Sequence, residues 1–447
     1  MARRAPPPAL NVALEFARAL GGAALFPARY VDAALTRDAL RAELRADLGR
    51  ARAPLGPEAE PAPAPDRPLR LFVSAAEASG EQHALQVLAA LRARLCAAHA
   101  PPWECVGLGG ERLRAAGVHL LGDPVARATM GVGGVLKQLP FYLGLLRDAA
   151  TELARCDLAL LVDSPALHVP LGRIARRAGA RVVHFVAPQH WAWGAWRALP
   201  YASAVDRTLA LLPFEPDWFA RRGVDVRYVG HPLLEALPRD VPALEDPRRT
   251  DLALLPGSRA SVIRRNLPWM LEVLGLLRAR RGELRVVLAH AEERHAELLR
   301  ELVRRAGAEG WVRLELGDLH AALGRARAAF SVSGTVLVDL VHQRLPSVVV
   351  YRIEGHATTP LYTQLVFAPW IALPNLVAGR EVMPEFAFVG EGPTARAIQA
   401  LALALDDGPT RRRAARDLEA VATALGPPGV CARAAEALLE VAAMGPR

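Results

Sequence analysis

The sequence predicts an α/β protein of two doubly wound halves facing across a cleft, preceded by a helical extension. Three observations carry that expectation. From residue 69 onward, short continuous apolar runs alternate with helical stretches, the pattern of buried parallel strands joined by crossover helices. The runs fall into two sets separated by ALPRDVPALEDPRRTD, whose prolines and charges set a boundary near residue 240. The chain is also long and apolar enough for two cores, with 447 residues of which 52% are apolar and 23% charged.

Residues 1–52 contain two helix-like stretches, ALNVALEFARAL and LTRDALRAELRADLGR, the second with apolar residues at helical spacing and charges of both signs on its other face, and form the helical extension. Residues 53–68, APLGPEAEPAPAPDRP, read as an extended proline-rich linker. The extension is either a helix pair that docks on a membrane or a partner, or an ordinary, partly disordered appendage. The first half, 69–240, carries LRLFVSA, CVGLGG, LALLVDSP, RVVHFVAP, RTLALLP and VRYVGHP as strands. The second, 241–447, carries DLALLPGSR, LRVVLAH, WVRLEL, AAFSVSGT and SVVVY, and its last helices could fold back onto the first half. Ligands of such sheets bind beyond the carboxyl ends of the strands, so functional residues are expected just after each run.

Composition narrows the partners. The formal charge is +9, and Lys137 is the only lysine among 55 basic residues. Arginine's planar fork suits phosphate and carboxylate, so an anionic substrate or an anionic membrane surface fits the balance. No aromatic-interleaved basic stripe or zinc-finger spacing accompanies it, which argues against nucleic acid. Cys96, Cys105, Cys156 and Cys431 form no CxxC pair, which points to a reducing compartment and gives no metal site. Glu15 and Arg18 interrupt the N-terminal apolar stretch and Asp163 interrupts ALLVDSPAL, so neither a spanning helix nor a cleaved signal is expected. The expected location is the cytoplasm.

The strand ends supply the chemistry. After LRLFVSA, the small residues Ala75, Ala76, Ser79 and Gly80 make a turn into a helix, which either admits a substrate close to the backbone or is simply compact. After DLALLP, Gly257 permits an unusual backbone angle and Arg259 projects where a helix begins, a place for diphosphate. Ser333, Gly334 and Thr335 open another helix, with Asp339 one turn on, as phosphate ligands or as plain caps. Asp163 ends LALLV, as a general base for a hydroxyl or as a helix cap. His184 reads as a satisfied core histidine, and His190 and His231, at strand ends, as better candidates. APQHWAWGAWR places Trp191, Trp193 and Trp196 after a strand, either as a membrane-facing lip or packed beneath the fold.

Taken in order, AEASGE, GLGGERLRAAG, MGVGGVLKQLP, VDSPAL, HFVAPQHWAW, LLPFE, YVGHPL, LLPGSR, SGT and LPNLVAGREVMPE closely resemble the lipid-A-disaccharide synthases, over about residues 69 to 390. The resemblance implies a GT-B fold of two Rossmann-like domains and an inverting glycosyltransferase that needs neither metal nor cofactor. It implies transfer of diacylglucosamine from UDP-2,3-diacylglucosamine to lipid X (2,3-diacylglucosamine 1-phosphate) in lipid A biosynthesis, at the cytoplasmic face of the inner membrane. A homodimer is left open.

By the same resemblance Asp163 is the general base, and Arg259 stabilises the departing diphosphate with Ser333, Gly334 and Thr335. Asp339 stands where the family binds ribose through a glutamate, and Asn375 lines the donor site. Ser79, Gly80, Glu81, Trp191, Trp193, His231, Gly257, Ser258 and Glu385 complete the substrate-binding set. The chain departs from the family at Ala76 (glycine), Glu81 (aspartate), Ala166 (aspartate), Val262 (glutamate), Asp339 (glutamate) and Phe388 (glutamine). These departures keep open a diverged paralogue that binds lipid or UDP-sugar without turnover, or another GT-B enzyme of UDP-sugars.

Overall fold

A computed structural model of the chain describes residues 6–50, 61–127, 132–238, 240–353 and 365–447, with Leu55 and Gly355, and only the backbone of 132–137. Most of the proline-rich linker and the start of MGVGGVLKQLP therefore lie outside the described residues.

Two parallel sheets form the body. The first is built from β1 (Arg70–Ala75), β2 (Glu104–Leu108), β3 (His119–Gly122), β4 (Leu158–Val162), β5 (Arg181–Phe185), β6 (Arg207–Ala210) and β7 (Val226–Tyr228). The second has β8 (Asp251–Leu255), β9 (Val286–His290), β10 (Val312–Leu316), β11 (Ala326–Val332), β12 (Ser347–Arg352) and β13 (Glu385–Phe388). The strand orders are β3-β2-β1-β4-β5-β6-β7 and β10-β9-β8-β11-β12-β13. All eleven apolar runs become strands, and β3 and β13 are additions at sheet edges. Each has only four residues, HLLG and EFAF, too short for a periodic signal. β4 and β8 are buried at every position, as a strand covered on both faces must be.

Strand order reverses between β1 and β4 in the first sheet and between β8 and β11 in the second, and a crevice opens at such a switch point. The segments just after these four strands carry Ser79–Glu81, Asp163, Gly257–Arg259 and Ser333–Thr335. Topology therefore gathers the strand-end motifs at two switch points. One apolar core continues from the first sheet to a face of the second, through Ala253, Leu255 and Val349, and a separate core fills the second sheet's other face. The last helix, Val430–Ala443, packs on the first sheet, where Glu440 pairs with Arg207 at 2.6 Å and Arg433 Nε donates to the Val229 carbonyl at 2.9 Å.

The extension is folded and docked. It consists of α1 (Pro8–Ala24) and α2 (Phe26–Asp47), bent by 55° about Leu25. On α1, Glu15 is 4% exposed and accepts from Arg18 Nη1, from Arg173 Nε and Nη2, and from Arg177 Nη1, at 2.6–2.8 Å. Burial alone would raise its pKa, but Arg173 and Arg177 outweigh burial and hold the carboxyl below its ordinary value. On α2, Glu43 pairs with Arg221 and Arg222, and Asp47 with Arg221. Arg37 and Arg41 reach further, donating to the carbonyls of Val366 and Phe367, each at 3.3 Å. Charged residues of both helices therefore attach the extension to the body.

Candidate active site

On the first-sheet side of the crevice, Asp163 follows β4 directly. Both it and Ser164 adopt left-handed backbone, with φ of 58° and 42°. Its carboxylate makes no hydrogen bond or ion pair among the described residues, so it caps nothing. The cap position of α6 (Pro165–Ala178) falls to Ser164, whose Oγ is buried and unpartnered. Asp163 is thus the kind of carboxylate that can accept a proton from a bound hydroxyl.

α3 (Ala78–Ala97) follows β1 with Ser79 exposed in its first turn. Gly80 lets the helix pack close to β4, since a Cβ there would lie 3.3 Å from the Val162 carbonyl oxygen. Glu81 turns away from the crevice. It is 3% exposed, and its Oε1 accepts from Leu113 N at 3.1 Å, holding the first turn of α4 (Glu111–Ala115). Glu81 thus ties AEASGE to GLGGERLRAAG. His231 accepts from Leu233 N through Nδ1 at 3.3 Å, and burial, with His83 nearby, pushes its pKa down to about 4. His190 is enclosed against the rings of Tyr201 and Phe219, away from any exposed edge.

The tryptophans separate. Trp191 is 2% exposed, lies edge-on to Phe214 and donates to Glu215 Oε1 at 3.0 Å. It belongs to the core, so of the two placements open to it the packed one holds. Burial raises the Glu215 pKa to about 7 even though Leu211 N and Leu212 N also donate to it. Trp193 is 46% exposed, with the Arg197 guanidinium 3.6 Å from its ring centroid. Trp196 lines a groove of about 440 Å³ with Ala33 and Leu40 of α2 and with Leu199.

α5 (Val132–Leu153), α7 (Ala198–Ala202) and α8 (Glu215–Ala220) belong to the first half, and on the second-sheet side α9 (Ala260–Arg281) begins right after PGSR. Gly257 has φ 101°, and a Cβ would meet Val262 Cγ1 at 2.7 Å. Val262, a departure from the family, packs against the second core beneath that loop. Arg259 occupies the N-cap position of α9, exposed beside Ser258, and its guanidinium makes no hydrogen bond or ion pair among the described residues. A free guanidinium beside unpaired helix N-terminal amides suits a diphosphate.

Other expected donor ligands are already engaged. Ser333 Oγ donates to the Ile371 carbonyl at 2.7 Å. Glu385 accepts from Ile371 N at 2.9 Å and Ala372 N at 2.8 Å. Asn375 is fully buried and uses its whole amide: Nδ2 donates to Met383 O and Glu385 Oε2, and Oδ1 accepts from Val382 N and Met383 N. Together these three side chains clamp residues 371–385. Gly334 and Thr335 are exposed, and no neighbour crowds Gly334. Asp339 is largely buried, which raises its pKa, and its Oδ1 lies 3.6 Å from His320 Nδ1.

Two histidines escaped sequence reading. His83, on α3, stacks edge-on to Phe185 at 6.2 Å, and burial lowers its pKa against the pull of Asp163. His320, which starts just after β10, partners Asp339. The available signal was position alone, since each lies a few residues past a strand.

The two parallel sheets, each doubly wound about its own switch point, give the chain a GT-B fold. A UDP-N-acetylglucosamine 2-epimerase structure from Listeria monocytogenes shares the fold at TM-score 0.52 and 12% identity, covering 82% of this chain and 94% of that one. The S. aureus MnaA-UDP co-structure matches at TM-score 0.50 and 11% identity, with the same coverage of 82% and 94%. The lipid-A-disaccharide synthetase family model matches residues 71–441. A lipid-A-disaccharide synthase of Myxococcus xanthus is 35% identical over 384 residues, 84% of this chain and 98% of that one. One from Anaeromyxobacter dehalogenans is 35% identical over 388 residues, covering 83% and 97%. The chain belongs to the lipid-A-disaccharide synthase family.

Proposed function

We propose that the chain moves the diacylglucosaminyl group of UDP-2,3-diacylglucosamine onto the 6-hydroxyl of lipid X in one inverting displacement. Asp163 takes the hydroxyl proton as the acceptor oxygen bonds to the anomeric carbon. The bond from that carbon to the diphosphate oxygen breaks, and UDP leaves with the electron pair. Arg259 and the first amides of α9 neutralise the charge growing on the diphosphate. Gly334 and Thr335 lie beside that path, and Asp339 with His320 faces the ribose. The observation that carries this reading is the pair of uncommitted groups, Asp163 after β4 and Arg259 after β8, each at its sheet's switch point. Purified protein given both lipids should release UDP and β-1,6-linked disaccharide 1-phosphate in equal amounts. Asp163→Ala should lower kcat by about 100- to 10,000-fold, and turnover near the wild-type rate would exclude it as the base. Donor binding without product would favour the non-catalytic reading.

Access to acylated substrates is assigned to the extension. Residues 19–28, ALGGAALFPA, carry no charge and form the bend between α1 and α2, with Leu20, Leu25 and Phe26 exposed. Leu35 is 82% exposed and Leu199, across the groove from α2, 69%. No single helix among the described residues is long and apolar enough to cross a membrane. An uncharged bend flanked by Arg18 and Arg29 fits shallow insertion on the cytoplasmic face of the inner membrane, with arginine at the headgroups.

A further inference from the structure

The backbone at Asp163 is costly to hold. Asp163 and Ser164 are consecutive left-handed residues with φ of 58° and 42°, and both have a Cβ. Such a conformation persists only where its surroundings over-determine it. Asp163 N donates to the Phe185 carbonyl at 2.9 Å, as the parallel ladder requires. Its carbonyl oxygen leaves the ladder and points into the protein.

There it meets two buried imidazoles. His168 Nδ1 lies 2.6 Å from the Asp163 oxygen and His184 Nε2 lies 2.8 Å from it. A carbonyl can only accept, so each ring donates, which fixes both tautomers. The opposite ring nitrogens are then acceptors. His168 Nε2 receives the Ser74 hydroxyl at 2.9 Å, and His184 Nδ1 receives the Tyr201 hydroxyl at 2.8 Å. Tyr201 Oη in turn accepts from Thr208 Oγ1 at 2.6 Å. Ser74, His168, His184, Tyr201 and Thr208 are all at most 1% exposed. Burial pushes His168 down to about 3 and lowers His184, so both rings are neutral and every donor in the two chains has one acceptor.

The proton order runs one way, from Ser74 and from Thr208 inward, and both chains end on the same oxygen. Since α6 begins at Pro165, that oxygen sets the angle at which β4 delivers Asp163 before the helix turns away.

We infer that His168 and His184, through their shared hold on the Asp163 carbonyl, are positioning residues that aim the Asp163 carboxylate at the acceptor hydroxyl. The inference rests on Asp163 acting as the base. His168 and His184 touch no substrate, and neither exchanges a proton during turnover.

The test compares donors removed with donors restored. His168→Leu and His184→Leu should lower kcat by roughly 10- to 100-fold while KM for both lipids stays within about threefold, the signature of a base misaimed by an ångström. His168→Asn and His184→Gln, which return an N–H near Nδ1 and Nε2 respectively, should recover most of kcat. Leucine proteins that fold and keep wild-type kcat, or amide variants that recover nothing, would overturn the inference. If the leucine proteins do not fold, Ser74→Ala and Tyr201→Phe carry the same test, with a kcat loss at constant KM expected and an unchanged kcat overturning it. Should the wild type form no disaccharide, the functional reading fails separately, and crystal structures of the folded variants decide. Residue 163 leaving the left-handed region would support the hold, and an unchanged φ near 58° would refute it.

Discussion

Replacing Glu15 by alanine should undock α1 without unfolding the rest. The carboxylate is buried and accepts four hydrogen bonds from Arg18, Arg173 and Arg177. Breaking a buried ion pair from one side costs about 3–5 kcal/mol, because the remaining charges lose their partner. The Arg173 and Arg177 side chains keep 13% and 22% exposure, and Arg177 retains Asn11 Oδ1 at 2.7 Å, so the lower end applies. About 3 kcal/mol is roughly a 100-fold change in the undocked population. Hydrogen exchange should therefore quicken by about that factor in α1, while amides of β4 and β5 keep their protection, as local opening demands. Unchanged exchange in α1, or equal loss of protection across the first sheet, would refute the attachment. Acid should act in the same direction on the wild type. The Glu15 pKa is lowered in the fold, so its contribution is complete above the ordinary value of 4.5 and is lost as pH falls through the folded value.

Other outcomes follow from the same structure. Arg259→Ala should lower kcat by about 100- to 1,000-fold, with lysine restoring only part, because a point charge replaces a bidentate fork. Steady-state rates with saturating lipids check this. Glu215 has its pKa raised to about 7 by burial, so its stabilisation is complete below 4.5 and is lost as pH rises through 7. Urea titrations at pH 5 and pH 8 should show Glu215→Gln flattening that decline by about 3 kcal/mol. Leu25→Asp with Phe26→Asp should reduce binding to phosphatidylglycerol-containing vesicles by at least about 100-fold, from the apolar burial lost. Trp191→Phe should leave vesicle binding alone and instead lower stability by about 1–3 kcal/mol, having lost a buried hydrogen bond and ring area.

The sequence by itself determined the layers, both sheets' central strands and the places where chemistry could stand. Apolar runs buried on two faces, such as LALLV and DLALL, have few other structures open to them, and the residues next after them reach the crevice by topology. The places of Asp163 after β4 and Arg259 after β8 were legible for that reason. What only the tertiary structure decided is which polar residues are spent on the protein itself. Glu81 binds Leu113 N, Ser333 binds Ile371 O, and Asn375 and Glu385 close a loop on each other. In sequence these look no different from ligands, because a hydrogen bond is settled by a partner dozens of residues away. Trp191 and Trp193 show the same limit two positions apart, one buried in the core and one half exposed. The extension shows it too, since helical periodicity gives a helix with one polar face but not the arginines waiting to bury Glu15.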